Sequence, residues 1–190
     1  HLLDVSRFEA GGGRLEVRRT SVAHFLDELE RGFQVLAIQR DIHFVSRRGD
    51  GLPEDVEWDV DRMSEVLGNL LSNAFKFTER GGEVELGAQA TEDWVELEVR
   101  DSGAGIPPEQ LPHIFEKFYQ ADNQRGANAK GSGLGLAFCK LVVEQLGGRI
   151  WADSSPLGGT RIAFELPPAA TEVPVRPNQS EAAKPESRVA

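Results

Sequence analysis

The 190-residue sequence is poor in cysteine, in long apolar runs and in positive charge, and each shortage excludes a class of protein. Its single cysteine, Cys139, excludes an intrachain disulfide framework, and no Cys/His spacing matches a zinc site. The lack of an apolar run of about 18 residues and of a signal peptide predicts a cytoplasmic domain, which is compatible with a membrane-anchored parent protein. A formal net charge of -10 argues against nucleic acid as a partner, because a polyanion would be repelled.

The residues that are present suffice for one packed core. Hydrophobic residues make up 39% of a chain that is too short for two large domains. Apolar spacings of three and four predict helices from about Ser21, from Asp61 to about Phe77 and over residues 133–146, and they predict that residues 1–10 are the end of a further helix. Alternating patterns predict strands at residues 43–47, 56–60, 83–90, 94–100, 149–153 and 160–166. Residues 168–190, rich in Pro, Ala, Ser and Glu, are predicted to form a flexible tail.

A polar stripe runs along the otherwise apolar helix that is predicted from Asp61. Asn69, Asn73 and Lys76 are spaced by four and three residues, which places them on one helix face. Two amide oxygens one turn apart suit a magnesium ion, and a lysine supplies a positive charge for phosphate. The alternative is that the stripe is only the solvent face of an amphipathic helix.

A glycine-interrupted loop follows the strand predicted at residues 94–100. Gly103 and Gly105 permit a positive φ and allow a ligand to lie against the backbone. Asp101, at the end of the strand, is able to accept a hydrogen bond from the exocyclic amine of adenine, where guanine has a carbonyl. The alternative is an ordinary turn, because Asp and Gly are both frequent in turns.

A second glycine-rich segment enters the helix predicted at residues 133–146. Its members are Gly131, Ser132, Gly133, Leu134, Gly135 and Leu136. The free backbone N–H groups and the positive dipole at a helix start are able to hold phosphate oxygens, and the preceding Lys130 adds charge. The segment does not follow a strand and contains no P-loop pattern, so neither a dinucleotide-binding fold nor a P-loop fold is supported.

Aromatic and polar residues separate the two glycine segments. Phe115, Phe118 and Tyr119 precede the polar residues 122–130, which have the composition of a mobile lid. The two phenylalanines are also typical of an anchor that holds a loop down, and both roles are compatible.

Taken in order, residues 69–78, 101–106, 115–118 and 131–136 resemble the four nucleotide-binding boxes of bacterial sensor histidine kinases. Residues 2–11 are similar to the end of that family's dimerisation helix, and residues 147–166 to its closing strands. The resemblance implies an α+β fold, a two-layer sandwich whose mixed sheet is covered on one face by helices, with a mobile ATP lid, as in the histidine kinase/Hsp90/MutL superfamily. The implied domains are a helix end and linker at 1–13, an ATP-binding catalytic domain at 14–167, and a tail at 168–190.

The resemblance also implies a role for each matching residue. Asn73 would bind Mg²⁺, Asn69 would assist near the triphosphate, and Asp101 would read adenine. The implied ATP-binding set is Asn69, Asn73, Lys76, Phe77, Asp101, Gly103, Gly105, Ile106, Phe118, Lys130, Gly131, Ser132, Gly133, Leu134, Gly135, Leu136 and Thr160. Within it, Asn69, Lys76 and Lys130 would be catalytic.

Two positions depart from the family pattern. Phe77 stands where many members have tyrosine, and Gln120 stands where many have arginine. The second departure leaves open which cation reaches the γ-phosphate, for which Lys117, Arg125 and Lys130 are candidates. We expect Lys130 or Arg125 to serve, because phosphoryl transfer depends on charge neutralisation.

The function implied by the resemblance is that of a protein-histidine kinase of a two-component system. The acceptor histidine would lie on a dimerisation domain that precedes residue 1, the protein would form a homodimer, and a response regulator would receive the phosphoryl group. Related ATPases have a water-activating glutamate at the position of Asn69, and an amide cannot take that proton. Transfer is therefore favoured over hydrolysis. The alternatives are an ATP-gated binding module without transfer and a serine-directed kinase of the same superfamily.

Overall fold

The computed structural model describes residues 15–91, 93–121 and 132–169. The elements, in chain order, are β1 (Arg18–Ser21), α1 (Val22–Arg40), β2 (His43–Arg48), β3 (Asp55–Trp58), α2 (Val60–Phe77), β4 (Glu83–Ala90), β5 (Val95–Asp101), a 3-10 turn (Leu111–His113), α3 (Gly135–Gln145), β6 (Arg149–Ser154) and β7 (Thr160–Leu166). The helix end predicted at residues 1–10 and the lid predicted at residues 122–130 lie outside the described residues.

A five-stranded mixed sheet is the centre of the fold. Its strand order is β2-β4-β5-β7-β6, with β2 and β4 parallel and the other neighbours antiparallel. The inward side chains of β4, β5 and β7 belong to the same buried cluster as the apolar faces of α1, α2 and α3. The α+β prediction, with helices on one face of a mixed sheet, is confirmed. None of the described helices is both long and apolar enough to cross a membrane.

The opposite face of the sheet buries carboxylates under arginine side chains. Glu85, Glu96, Glu98 and Glu165 are between 3% and 9% exposed, although they occupy the outward positions of an alternating pattern. Arg161 lies 2.7 Å from Glu96 and 2.5 Å from Glu98, so one guanidinium serves two buried carboxylates. Alternation alone indicates an outward-facing side chain and does not reveal that a neighbouring arginine will cover it.

Side-chain caps mark the starts of α1 and α2. Helix α1 begins at Val22, close to its predicted start, and Ser21 caps it with a hydroxyl that accepts from the His24 N–H. The predicted start of α2 at Asp61 is wrong, because Asp59 is the N-cap and Val60, predicted to end a strand, is the first helical residue. Helix α3 begins at Gly135 rather than at Gly133, whose φ of 69° is not helical.

A small two-stranded sheet lies beside the main one and was not predicted. In it β1 pairs with β3. The residues that follow β7 in the sequence also contact β3. The Trp58 indole donates to the carbonyl of Pro167, and the Glu57 N–H donates to that of Pro168, both at 2.8 Å. Residue 168, predicted to start a flexible tail, is therefore held by backbone hydrogen bonding, while residues 170–190 lie outside the described chain.

Candidate functional site

A cavity of about 450 Å³ lies between α2, the loop after β5, the turn before β7 and the start of α3. Its volume is in the range of ordinary small-molecule sites. The residues that the sequence predicted for the site and that line this cavity are Asn69, Asn73, Lys76, Phe77, Asp101, Gly105, Ile106, Ser132, Gly133, Gly135, Leu136 and Thr160. Segments that are distant in the sequence thus meet around one space.

Three predicted residues do not line the cavity, and two lie outside the described chain. Gly103 contacts the backbone of α2, and Leu134 is buried and caps α3. Phe118 is 65% exposed, so the anchor interpretation does not fit it, whereas Phe115 packs against the core. The backbone of Phe118 still contacts the second glycine-rich segment, because its N–H donates to the Gly133 carbonyl at 2.9 Å. Lys130 and Gly131 lie outside the described residues.

The carboxylate of Asp101 is held in one orientation at the wall of the cavity. Asp101 is 8% exposed, and its Oδ1 accepts the N–H groups of Gly103 at 2.9 Å and Thr160 at 3.1 Å. Burial raises the pKa of Asp101, and the two backbone hydrogen bonds oppose that rise. A fixed acceptor at a strand end is suited to recognising a donor group on a ligand.

Gly159 does not line the cavity but packs against Asp101, a role that sequence reasoning missed. A Cβ on Gly159 would lie 2.1 Å from Asp101 Oδ1 and 2.6 Å from the Gly103 nitrogen, so only glycine fits there. Its place between the strands predicted at residues 149–153 and 160–166 indicates a turn, but nothing local shows that the turn would pack against the loop after β5. Gly105, with a φ of 68°, lies close to the same turn, because a Cβ on it would be 3.4 Å from the Gly159 carbonyl oxygen.

The polar stripe of α2 lines the cavity, and its three residues share one helix face. The Asn69 amide donates to the Glu65 carbonyl at 2.9 Å, and its Oδ1 would lie 3.2 Å from a Cβ on Gly135. Asn69 therefore lies against the first turn of α3. Asn73 and Lys76 line the same cavity, and the Lys76 ammonium is 5.0 Å from the centre of the Phe77 ring.

Apolar side chains form a large part of the cavity wall, and the sequence did not distinguish them from core residues. Further residues that line the cavity are Leu70, Ala74, Thr78, Glu79, Val99, Ala104, Ile114, Tyr119, Gln120 and Ile162. Several of them are inward positions of α2, β5 and β7, which periodicity assigns to the core without showing which ones border an opening. Gln120, at the position where the family pattern has arginine, is among them.

The described residues contain no cluster of three or more His, Cys, Asp or Glu side chains that could enclose a metal ion. A metal in this cavity would therefore depend on a few protein oxygens together with ligand and water oxygens. Magnesium binds in this way at phosphate sites, and the amide oxygens of Asn69 and Asn73 are the kind of hard ligand it accepts.

The comparisons with known proteins point to one family. A model of the family described as "Histidine kinase-, DNA gyrase B-, and HSP90-like ATPase" matches residues 58–170. Sensor histidine kinase WalK of Bacillus subtilis is 33% identical over 171 residues, which cover 87% of this chain and 27% of WalK. The chain thus spans about a quarter of that relative's length.

Solved structures share the fold. The catalytic domain of histidine kinase ThkA has a TM-score of 0.72 at 28% identity, and the match covers 82% of this chain and 97% of that domain. Full-length ShkA in complex with AMPPNP has a TM-score of 0.77 at 29% identity, covering 87% of this chain and 34% of ShkA. The similarity therefore extends over nearly all of an isolated catalytic domain and over about a third of a complete kinase.

Proposed function

This chain belongs to the family of histidine kinase-, DNA gyrase B- and HSP90-like ATPases, and we propose that it transfers the γ-phosphoryl group of Mg-ATP to a histidine. It is an ATP-binding catalytic domain of the sensor histidine kinase type. The observation that carries the proposal is the cavity in which the asparagine stripe of α2, the Asp101 carboxylate and the start of α3 meet.

In the proposed complex, Asp101 recognises the adenine ring. Its carboxylate is buried, oriented by the N–H groups of Gly103 and Thr160, and it is an acceptor when ionised. Adenine presents an exocyclic amine to such an acceptor and guanine presents a carbonyl. We therefore expect ATP to bind much more tightly than GTP.

The triphosphate is proposed to lie toward α2 and the start of α3. Asn73 offers an amide oxygen to Mg²⁺, Lys76 offers positive charge, and the first turn of α3 offers backbone N–H groups. The ion supplies charge neutralisation to the phosphate oxygens when it is bound. Lys130 and Arg125, our candidates for the γ-phosphate cation, are outside the described residues.

The side chain of Asn69 favours transfer over hydrolysis. It lines the cavity, but its amide has no basic group that could take a proton from water at neutral pH. Its amide N–H is also bound to the Glu65 carbonyl, which fixes the orientation of the side chain. A neutral, oriented amide can place a ligand oxygen without activating water.

The acceptor and the partners are proposed from the relatives. WalK is named a sensor histidine kinase and is much longer than this chain, which leaves room for a separate acceptor domain. We propose that residues 1–13 are the end of the helix of a histidine-bearing dimerisation domain and a linker, that the protein is a homodimer, and that a response regulator receives the phosphoryl group.

The test uses γ-labelled ATP and Mg²⁺ with this chain and a separate helical-hairpin acceptor domain. We expect acid-labile, base-stable label on the hairpin, and its loss in Asn73→Ala and Asp101→Asn. Ser72→Ala is the matched control, because Ser72 is exposed on the same helix next to Asn73. Label on serine would indicate the serine-directed alternative, and ATP binding without label would indicate the binding module.

A further inference from the structure

One buried carboxylate, that of Asp59, connects the segment before β1 to α2, the helix that lines the cavity. Asp59 is 4% exposed and lies between β3 and α2. Its Oδ1 accepts the Arg62 N–H at 3.1 Å, which caps α2. Its Oδ2 accepts the Glu16 N–H at 2.8 Å, across 43 residues of sequence.

The described chain before β1 comprises residues 15–17. Glu16 lies two residues before β1, and β1 pairs antiparallel with β3 through the register Arg18 to Trp58. The hydrogen bond from Glu16 to Asp59 therefore extends the attachment beyond the last strand pair.

Helix α2 connects this attachment to the cavity as one rigid element. Asn69 and Asn73 lie about 15 and 21 Å from Asp59 along the axis of α2, at a rise of about 1.5 Å per residue. Met63, Val66 and Leu67, in the intervening turns, are all 0% exposed. A helix packed in this way does not bend easily, so the position of the Glu16 backbone relative to the cavity is set at Asp59.

We infer that Asp59 is a positioning residue for phosphoryl transfer. Its hydrogen bond to Glu16 fixes the position of the chain before β1 relative to the face of α2 that lines the cavity. The inference rests on the proposed function, because the chain N-terminal to residue 15 then leads to the phosphoacceptor domain. Transfer within one polypeptide requires the acceptor to reach the nucleotide in a narrow range of positions. Asp59 restricts that range at the point of attachment.

Two variants separate the attachment from the helix cap. Asp59→Asn retains one oxygen, and asparagine caps helices well, but its NH2 group replaces the other oxygen and faces one of the two N–H donors. Glu16→Pro removes the donor and leaves Asp59 unchanged. Glu16→Ala is the matched control, because it keeps the N–H and removes only the exposed ion pair between Glu16 and Arg18.

The experiment uses the protein with its phosphoacceptor domain joined to the N-terminal segment. Transfer is measured within this protein and also to a separately added acceptor domain, together with the ATP dissociation constant. We expect Asp59→Asn and Glu16→Pro to slow transfer within the polypeptide on the order of tenfold. The ATP dissociation constant should stay within about twofold of wild type, and transfer to the separate acceptor should be unchanged. Glu16→Ala should behave as wild type in all three measurements.

Three outcomes contradict the inference. Unchanged transfer within the polypeptide in both variants would show that the attachment does not position the acceptor. A parallel loss of ATP affinity and of transfer to the separate acceptor would show that Asp59 is only a helix cap. A wild-type protein that binds ATP and labels no acceptor would contradict the proposed function itself, and the inference with it.

Discussion

At the scale of single residues, the contact between Gly159 and Asp101 is the most restrictive in the cavity. The turn before β7 reaches the Asp101 carboxylate so closely that the Thr160 N–H becomes one of its hydrogen-bond donors. The orientation of the acceptor thus depends on the absence of a side chain at residue 159. This gives a sharper test of the adenine contact than removal of the carboxylate itself.

Gly159→Ala should abolish high-affinity ATP binding and lower the free energy of unfolding by about 1–3 kcal/mol. The new Cβ would lie 2.1 Å from Asp101 Oδ1, so the carboxylate or the turn has to move. Calorimetric titration with Mg-ATP and chemical denaturation measure the two effects. Gly32→Ala is the control, because a Cβ there meets no atom within 4 Å. Equal ATP affinity in Gly159→Ala and wild type would refute the role given to this contact.

Asp101 should also make stability depend on pH in a defined direction. Burial raises its pKa, so in the window between the unfolded and folded pKa values the folded chain binds the proton more tightly than the unfolded chain does. The stabilisation by this group is therefore fully present below the unfolded pKa and is lost as pH rises through the folded pKa. Measured by urea denaturation at several pH values, the free energy of unfolding of wild type relative to Asp101→Asn should fall across that window. A difference that does not vary with pH would contradict this account.

The double variant Arg125→Ala/Lys130→Ala should lose most phosphoryl transfer and keep ATP binding. The reason is that Gln120 is neutral where the family pattern has a cation, so the γ-phosphate needs positive charge from elsewhere. Labelled transfer and nucleotide titration measure the two properties. Lys140→Ala is the control, because Lys140 is exposed on α3 and pairs with Glu144. Unchanged transfer in the double variant would exclude both residues.

At the scale of elements, β3 is the place where segments from both ends of the described chain are attached. On one side it pairs with β1, and on the other it binds the carbonyls of Pro167 and Pro168. A strand of only four residues is marginally stable in isolation, so β3 depends on these two sets of contacts.

Trp58→Phe should lower the free energy of unfolding by about 1 kcal/mol. Phenylalanine keeps an aromatic ring in the core but loses the indole N–H that donates to Pro167, across 109 residues of sequence. The control is the same substitution in a chain that ends at residue 166, where the acceptor is absent and the substitution should have a smaller effect. Chemical denaturation of the four proteins gives the coupling, and additive effects would exclude the hydrogen bond as the cause.

At the scale of the whole molecule, the two faces of the sheet are covered in different ways. Helices pack on one face, and on the other face arginine side chains cover the buried carboxylates of β4, β5 and β7. Removing an arginine from the second face should lower the free energy of unfolding more than breaking a surface ion pair does, because it leaves a buried carboxylate without that partner.

Arg161→Ala should lower the free energy of unfolding by about 3 kcal/mol, because it leaves Glu96 and Glu98 buried without this partner. The control is Arg19→Ala, which breaks an ion pair to Asp55 in which the arginine side chain is 77% exposed. That change should lower stability by less than about 1 kcal/mol. Chemical denaturation measures both, and equal effects would show that the outer face is no more than a solvated surface.

The sequence by itself determined most of the elements, though not β1, and about half of the residues that line the cavity, because these depend on patterns within one segment. The spacing of Asn69, Asn73 and Lys76, the glycines after β5 and before α3, and the alternation in the strands are all local. Only the tertiary structure decided the contacts between segments. Glu16 with Asp59, Asp101 with Thr160 and Trp58 with Pro167 are 43, 59 and 109 residues apart. No local pattern encodes such partners, because they are selected by how the completed layers pack.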